Sequence, residues 1–397
     1  MTDAPSPKSG SYQVLARRYR SRSFDELVGQ QAIIRTLRNA IEQQRTAHAY
    51  LFCGTRGVGK TSAARIFAKE LMWHGLTVRG EALPADSVSD AIFRGEDIDV
   101  VEIDGASHNG VNEVRELITN SGLMPARMPY KMYIIDEVHM LSTQAFNALL
   151  KTMEEPPDHV KFVLCTTEPQ KVPQTIQSRC QRFDSRTIPD SQIATHLGEI
   201  LHSEGITFDD SIPLEVARLA DGSMRDALTL MDRVVAAADG ELGTGLLADV
   251  LGLPDESLLA ALVQAIAERA PGSALEAAGE LLANGMSPGH LLDSLAERLR
   301  RLMVVSTCGT DSELLGMTAD SAERCAQLAT SFDAPALVHM IVACDAGSRQ
   351  VRTSGTPRAL MEAILVRLCF VESFAQAAGL LSEGAAAPPK KGAARAR

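Results

Sequence analysis

The glycine-rich segment at residues 54–61, GTRGVGKT, constrains the fold of this chain more than any other feature. It matches the pattern G-x-x-x-x-G-K-[ST], ends the apolar run 49–54 and precedes apolar residues at helical spacing. In a strand, loop and helix of this kind, backbone N–H groups and the helix N-terminus surround a polyphosphate. Lys60 is then expected to neutralise the outer phosphates and Thr61 to ligate Mg2+. The residues predicted to bind a nucleotide here are Gly54, Thr55, Gly57, Val58, Gly59, Lys60, Thr61 and Ser62.

Short apolar runs alternate with helical periodicity between residues 49 and 188, which is typical of parallel β-α units. The runs predict five strands, at 49–54, 98–104, 131–137, 161–167 and 181–188. Strand patterns then stop, and Leu- and Ala-rich segments with helical spacing follow. We therefore predict the following organisation: a flexible N-terminus over 1–10, an α/β nucleotide-binding core over 11–188, a three-helix unit over 189–242, an all-α domain over 243–378 and a disordered basic tail over 379–397.

The predicted strand 131–137 ends in two adjacent carboxylates, Asp136 and Glu137. Acids at the C-terminal end of a parallel strand face the ligand crevice. We expect Asp136 to hold the hydration shell of Mg2+ and Glu137 to orient and deprotonate an attacking water, with a solvated turn as the alternative interpretation. The next strand ends in Thr166 and Thr167, and a hydroxyl there is a candidate sensor of the γ-phosphate, with Thr167 as our choice.

Two arginines and one histidine near these motifs have local interpretations. Arg179 has no acidic partner nearby in sequence, and taken alone it indicates a surface ion pair. Arg225 lies in the first turn of a helix that Ser223 and Asp226 are predicted to cap, where the helix dipole disfavours a cation unless an anion is bound. His139 fits a structural or signalling residue better than a metal ligand, because no second His or Cys lies at ligand spacing.

Composition excludes several classes of protein. Lys and Arg total 39 against 50 Asp and Glu, for a formal net charge of -11, so a generally basic nucleic-acid-binding surface is excluded. The 7 cysteines form no C-x-x-C pair, which argues against a disulfide framework and a zinc knuckle. Because no apolar run reaches the length of a membrane helix and the N-terminus lacks a signal-peptide pattern, a cytoplasmic location without membrane contact is expected.

These motifs together resemble those of an AAA+ ATPase. Five blocks narrow the resemblance to the bacterial DNA polymerase III gamma/tau subunits, the motors of the sliding-clamp loader: 11–30, 48–66, 133–157, 162–183 and 221–228. The resemblance implies an α/β AAA+ core with a parallel five-stranded sheet, followed by an all-α lid and an all-α collar that holds subunits in a ring. It also implies that ATP binding and hydrolysis open the clamp and load it onto primed DNA during replication.

The same resemblance implies roles and partners that local sequence does not give. Arg179 would be an arginine finger acting on the γ-phosphate of an adjacent subunit, and Arg225 would be a lid sensor. Ala16, Arg20 and Val28 would lie near the base and ribose. The partners would be delta- and delta-prime-type subunits, further copies of this chain, the sliding clamp and primed DNA. A DNA-directed DNA polymerase classification would belong to the holoenzyme, because the sequence shows no carboxylate set for nucleotidyl transfer.

The sequence departs from the family pattern in three places. Family members normally carry a four-cysteine zinc module after the phosphate-loop helix, but residues 72–97 contain no cysteine, so we predict no structural zinc. Ser21 replaces a usual proline, and His108 stands where a basic residue commonly follows the serine, which puts DNA contact through that loop in question. The chain also stops early, as expected of a short gamma-type form without helicase- and polymerase-binding regions.

Two other functions share the nucleotide-binding motifs. A hexameric AAA+ motor of the branch-migration or helicase type normally ends in a winged-helix domain, and residues 243–378 show no β-hairpin signal of that kind. A scaffold subunit of the same ring that does not hydrolyse ATP is disfavoured by the intact Lys60, Thr61, Asp136 and Glu137.

Overall fold

The structure is a computed structural model that describes residues 13–238, 240, 242–251, 256–310 and 319–371. The predictions for residues 1–10 and 379–397 lie outside the described residues.

The chain divides between Val250 and Leu251 into two units. The elements of the first unit are α1 (Leu15–Arg18), α2 (Gln31–Glu42), β1 (Ala49–Cys53), α3 (Lys60–Arg79), α4 (Asp86–Arg94), β2 (Val100–Asp104), α5 (Val111–Ser121), β3 (Lys131–Asp136), α6 (Thr143–Glu154), β4 (Val160–Thr166), α7 (Gln174–Gln177), β5 (Gln181–Asp184), α8 (Asp190–Ser203), α9 (Ile212–Leu219), α10 (Met224–Ala236) and α11 (Thr244–Leu251), which ends at the division.

The five strands form one parallel sheet in the order β2-β3-β4-β1-β5, which confirms the predicted fold class. After β1 the chain crosses to the far edge of the sheet, where it forms β2. β3 and β4 then fill the space between β2 and β1, and β5 pairs with the other side of β1. The glycine-rich loop follows the carboxyl end of β1, Asp136 and Glu137 lie at the end of β3, and Thr167 follows β4. Ligands of such sheets bind outside these ends, where the strand order reverses.

Alternate strand residues pack on opposite faces of the sheet, as a period of two requires. Tyr50 and Phe52 belong to a buried cluster shared with α2, α3 and α4. Leu51 and Cys53 belong to a second cluster, shared with α5 and α6. Because α3 is packed in the first cluster along most of its length, the phosphate loop at its N-terminus is attached to a rigid element.

Two strand boundaries differ clearly from the prediction. β5 ends at Asp184 instead of 188. The N–H of Ser185 makes the last bond to β1, donating to the Cys53 carbonyl at 2.7 Å, and the backbone then leaves the sheet, because the N–H of Ile188 donates to the Gly222 carbonyl at 3.1 Å. β2 begins at Val100 instead of 98, because an oxygen of the Asp97 side chain accepts the N–H groups of Asp99 and Val100 and forms a turn there. The remaining predicted strand ends agree with the structure to within one residue.

Three helices, α8 to α10, follow the sheet. Helix α10 begins as predicted, because the Ser223 hydroxyl accepts the N–H of Asp226 at 3.2 Å. This contact is the N-cap half of the predicted capping box, and it places Arg225 in the first turn.

The described part of the second unit is helical. Its elements are α12 (Glu256–Ala267), α13 (Pro271–Ala283), α14 (Pro288–Cys308), α15 (Ala319–Ala329), α16 (Ala334–Thr353) and α17 (Pro357–Cys369). Leucine side chains of α14 and α17 share one buried cluster with apolar residues of the other helices of this unit. Across the described residues, no single helix is both long and apolar enough to span a membrane, and only the bent pair Ala322–Ala329 and Ala334–Thr353 meets that test when taken together.

Candidate nucleotide-binding site

The loop between β1 and α3 has the backbone that a phosphate-binding loop needs. Gly54, Gly57 and Gly59 all have positive φ angles, of 145°, 79° and 96°. Side chains of L-residues avoid this region, and at Gly57 a Cβ would also lie 1.9 Å from the Ser223 hydroxyl oxygen. The glycine is therefore required both for the path of the loop and for its contact with the start of α10.

Lys60 lies inside this loop with 7% of its surface exposed. Its Nζ donates to the carbonyl oxygens of Gly54 and Thr55, each at 2.9 Å. Burial lowers the pKa of Lys60, and the nearby acidic side chains, Glu137 and Asp136 among them, partly oppose this effect. A buried ammonium held only by neutral carbonyls favours an incoming anion.

The two acids at the end of β3 have different surroundings. Asp136 accepts a hydrogen bond from the Thr61 hydroxyl at 2.7 Å, which joins the two residues predicted to hold Mg2+. Glu137 has a φ of 44°, a left-handed conformation that is unusual for a residue with a side chain. Backbone strain of this kind is typical of functional positions, and here it turns the chain sharply into the 3-10 helix Val138–Met140.

Thr167, at the end of β4, contacts the second acid directly. Its backbone N–H and its hydroxyl both donate to Oε2 of Glu137, at 3.3 and 3.0 Å. The other candidate, Thr166, is fully buried and lies 3.1 Å from the ring of His139. Thr167 is therefore the threonine that reaches the acid.

A cleft of about 440 Å³ opens over these residues. Its wall carries the cations Arg20, Arg56, Lys60 and Arg225, together with acids at the strand ends. Within the described part of the chain, the guanidinium groups of these three arginines have no hydrogen-bond or ion-pair partner. Burial lowers the pKa of Arg20, and the nearby guanidinium of Arg65 lowers it further. Such a concentration of unpaired positive charge is suited to a polyphosphate.

The segment before α2 is held over the cleft by helices from the three-helix unit. The N–H of Leu15 donates to the carboxylate of Asp232 on α10 at 3.0 Å. The Tyr19 hydroxyl donates to Glu204, at the C-terminal end of α8, and Arg18 pairs with the same carboxylate at 2.7 Å. Ala16, Arg20 and Val28 therefore line the cleft beside the phosphate loop.

Comparison with known proteins identifies related families between residues 29 and 383. Family models match at three places: "DNA polymerase III, delta subunit" over 29–189, "DNA polymerase III clamp loader subunit, ATPase lid domain" over 192–240, and "DNA polymerase III subunits gamma and tau domain III" over 245–383. The gamma subunit of DNA polymerase III from Buchnera aphidicola is 40% identical over 249 residues, which cover 62% of this chain and 68% of that protein. This chain belongs to the DNA polymerase III gamma/tau family.

Longer members of the gamma/tau family are also similar. The tau subunit of Bacillus subtilis is 38% identical over 366 residues, covering 90% of this chain and 63% of that protein. The tau subunit of Escherichia coli is 43% identical over 298 residues, covering 74% and 46%. This chain thus spans less than two thirds of the length of these tau relatives. Among solved structures, the RuvB Holliday junction branch migration motor of Thermotoga maritima aligns with a TM-score of 0.46 and 18% identity, covering 63% of this chain and 80% of that one.

The structure brings most of the site residues predicted from the sequence, by motif or by resemblance, to one cleft. Those on its wall are Ala16, Arg20, Val28, Gly57, Val58, Gly59, Lys60, Thr61, Ser62, Asp136, Glu137 and Arg225. Gly54 and Thr55 lie behind Lys60, and Thr167 reaches the cleft only through Glu137.

Arg179, which the gamma/tau resemblance predicts to be an arginine finger, does not line this cleft. Its guanidinium pairs with Glu154 at the end of α6 and also donates to the Thr175 carbonyl at 2.6 Å. The local interpretation of an ion-pair residue therefore holds within one chain. The acid could not be found from neighbouring sequence because it lies 25 residues away.

Sequence reasoning missed several residues on the wall of the cleft. Arg56 is a variable position of the loop pattern, Tyr19 lies in block 11–30 between residues assigned to the site, and His196 comes from a segment without a motif. Asp104 ends β2 and Ala106 follows it, so their place at the carboxyl end of a parallel strand could have indicated them. In residues 72–97, where this family would carry zinc ligands, the structure has the end of α3 and all of α4.

Proposed function

We propose that this chain is an ATP-hydrolysing motor subunit of a clamp loader, which opens a sliding clamp and loads it onto primed DNA. The observation that carries the proposal is the meeting of Lys60, the Thr61–Asp136 pair, Glu137 and Arg225 around one cleft. Membership of the gamma/tau family and the match to a clamp-loader lid support the same function over a branch-migration motor.

The cleft has the groups needed to bind ATP. Lys60 and the arginines of the wall neutralise the phosphates, and the glycine loop supplies backbone N–H groups. Arg225 lies in the first turn of α10 and binds the phosphates, so the position of the lid helices depends on which nucleotide is bound. Ala16, Arg20 and Val28 are assigned to the base and ribose.

The Thr61–Asp136 pair fits Mg2+, because a hydroxyl and a carboxylate 2.7 Å apart are the hard oxygen ligands that this ion prefers. When bound, Mg2+ supplies positive charge to the β- and γ-phosphates. Glu137 accepts a proton from the water that attacks the γ-phosphorus, and the bond to the β-γ bridging oxygen breaks to give ADP and phosphate. Arg179 of one subunit stabilises the transferring group bound to its neighbour.

The partners follow from this assignment. They are delta- and delta-prime-type subunits, further copies of this chain joined through the helices of the second unit, the sliding clamp and primed DNA, in the cytoplasm. Polymerase chemistry is assigned to other subunits of the holoenzyme. Structural zinc is not assigned to this chain.

The test is the rate of ATP hydrolysis in a loader reconstituted with clamp and primed DNA. We expect Lys60→Ala to lower this rate by on the order of 100-fold or more, because a cation aimed at the transferring phosphate is lost. Lys69→Ala, on the same helix but facing Glu70, is the matched control and should hydrolyse ATP at the original rate. Unchanged hydrolysis with Lys60→Ala would refute the site, and a ring of the original chain that turns over no ATP would support the scaffold function instead.

A further inference from the structure

His139 is a buried histidine beside the proposed catalytic base. It lies in the 3-10 helix Val138–Met140, which follows directly from the left-handed residue Glu137. Its side chain is 6% exposed, whereas those of Glu137 and Glu168 are 33% and 37% exposed. The turn therefore folds the ring back beneath two carboxylates that reach solvent.

The two nitrogens of the ring face different partners. Nδ1 lies 3.1 Å from the Thr166 hydroxyl and 3.4 Å from Oε2 of Glu137. Nε2 lies 3.5 Å from Oε1 of Glu168, which also pairs with Lys171 at 2.7 Å. With hydrogen on Nδ1, the ring and the Glu137 carboxylate attract each other.

The ring of His139 contacts one particular carboxylate oxygen of Glu137, Oε2. Oε2 of Glu137 already accepts from the N–H and the hydroxyl of Thr167. Among the described residues, Oε1 has no hydrogen-bond partner. Three groups thus face Oε2, and Oε1 stays available to accept a proton from water.

We propose that His139 is a positioning residue for ATP hydrolysis, which acts through Nδ1 to hold Oε2 of Glu137 and so directs Oε1 toward the attacking water. The proposal rests on the function proposed above. If His139 only supported the fold, contacts through either ring nitrogen would suffice. The roles of Nδ1 and Nε2 can therefore be tested separately.

The test uses three variants in the reconstituted loader. His139→Asn keeps an amide near the place of Nδ1, His139→Gln moves the amide toward the place of Nε2, and Glu168→Gln removes the carboxylate that faces Nε2. We expect His139→Gln to lower kcat by on the order of 10-fold to 100-fold with little change in KM, because misplacing a reacting group has effects of this size. His139→Asn and Glu168→Gln should stay within about threefold of the original kcat.

The outcomes separate this proposal from the broader one. Equal loss in both His139 variants, equal retention in both, a rise in KM alone, or loss of folding in His139→Asn would overturn the positioning role. A loss with Glu168→Gln as large as that with His139→Gln would show that the ring acts through Nε2 and would also overturn it. If Glu137→Gln itself left hydrolysis unchanged, the proposed function would fail, whatever the His139 variants do.

Discussion

The contact between the phosphate loop and the start of α10 allows a sharp test of the proposed coupling between the lid and the nucleotide. Gly57 has a φ of 79°, and a Cβ there would lie 1.9 Å from Oγ of Ser223, 3.0 Å from its Cβ and 3.3 Å from Cβ of Arg225. Gly57→Ala therefore imposes a left-handed conformation on alanine, which costs about 1–2 kcal/mol. It also overpacks the contact by about 1–3 kcal/mol.

The protein can relieve the overpacking, but not the backbone strain, by moving α10 away from the loop. Arg225 would then leave the phosphates, and a charge-assisted hydrogen bond of about 1.5–3 kcal/mol would be lost. Converted to affinity, this loss raises the Kd for ATP by about 10-fold to 100-fold. Titration with a fluorescent ATP analogue measures the change.

Two further variants separate the backbone effect from the contact. Gly80 has a φ of 69° with nothing within 4 Å of its Cβ position, so Gly80→Ala should lower the melting temperature without changing the Kd for ATP. In Gly57→Ala/Ser223→Gly the clashing side chain is absent, while glycine remains an acceptable N-cap. This double variant should recover at least half of the lost binding free energy. Original affinity in Gly57→Ala, or no recovery in the double variant, would refute the reasoning.

Two further predictions concern ion pairs elsewhere in the first unit. Arg65 donates to both carboxylate oxygens of Glu102 at 2.6 Å in a nearly buried pair, so Arg65→Met should reduce stability by about 3 kcal/mol, because it leaves an unpaired acid. Arg94→Met, at an exposed pair with Glu96, is the control and should melt at the original temperature, and equal melting of both variants would contradict the prediction. Glu154→Gln removes the partner of Arg179, so in the reconstituted loader it should raise ATP hydrolysis at limiting subunit concentration, and a lower rate would count against a competing role for Glu154.

The parts of the molecule that the sequence predicts well are those specified by local pattern. The phosphate loop needs eight consecutive residues, and each of the first four strands shows its own apolar run, whereas β5 contains a single apolar residue, Phe183. Because the strands run parallel, the carboxyl ends of β3 and β4 lie at the same end of the sheet, which brings Asp136, Glu137 and Thr167 together. For these features no knowledge of distant contacts is required.

Contacts between distant segments could not be predicted in this way. Tyr19 meets Glu204 across 185 positions, and Gly57 meets Ser223 only because α10 lies on the loop. The start of β2 depends on the side chain of Asp97, which competes with the strand for backbone N–H groups. The two long-range contacts depend on packing, for which a single sequence without aligned relatives carries no signal. The turn at Asp97 is local instead, but the apolar pattern that predicts strands does not describe side-chain acceptors.

The ion pair between Arg179 and Glu154 gives a physical reason why the proposed hydrolysis would depend on subunit assembly. In one chain the guanidinium is already bonded to a carboxylate and to a carbonyl, with 31% of its side chain exposed. An exposed pair of this kind contributes at most about 1 kcal/mol. The γ-phosphate of a neighbouring subunit carries more charge than Glu154 and would be shielded from water at the interface, where its attraction for the guanidinium is stronger. In the proposed mechanism the arginine therefore exchanges Glu154 for the phosphate when two subunits close on ATP, and returns when phosphate leaves. The pair orders the proposed finger in the free chain and competes with the phosphate by at most about 1 kcal/mol, which is the competition that Glu154→Gln removes.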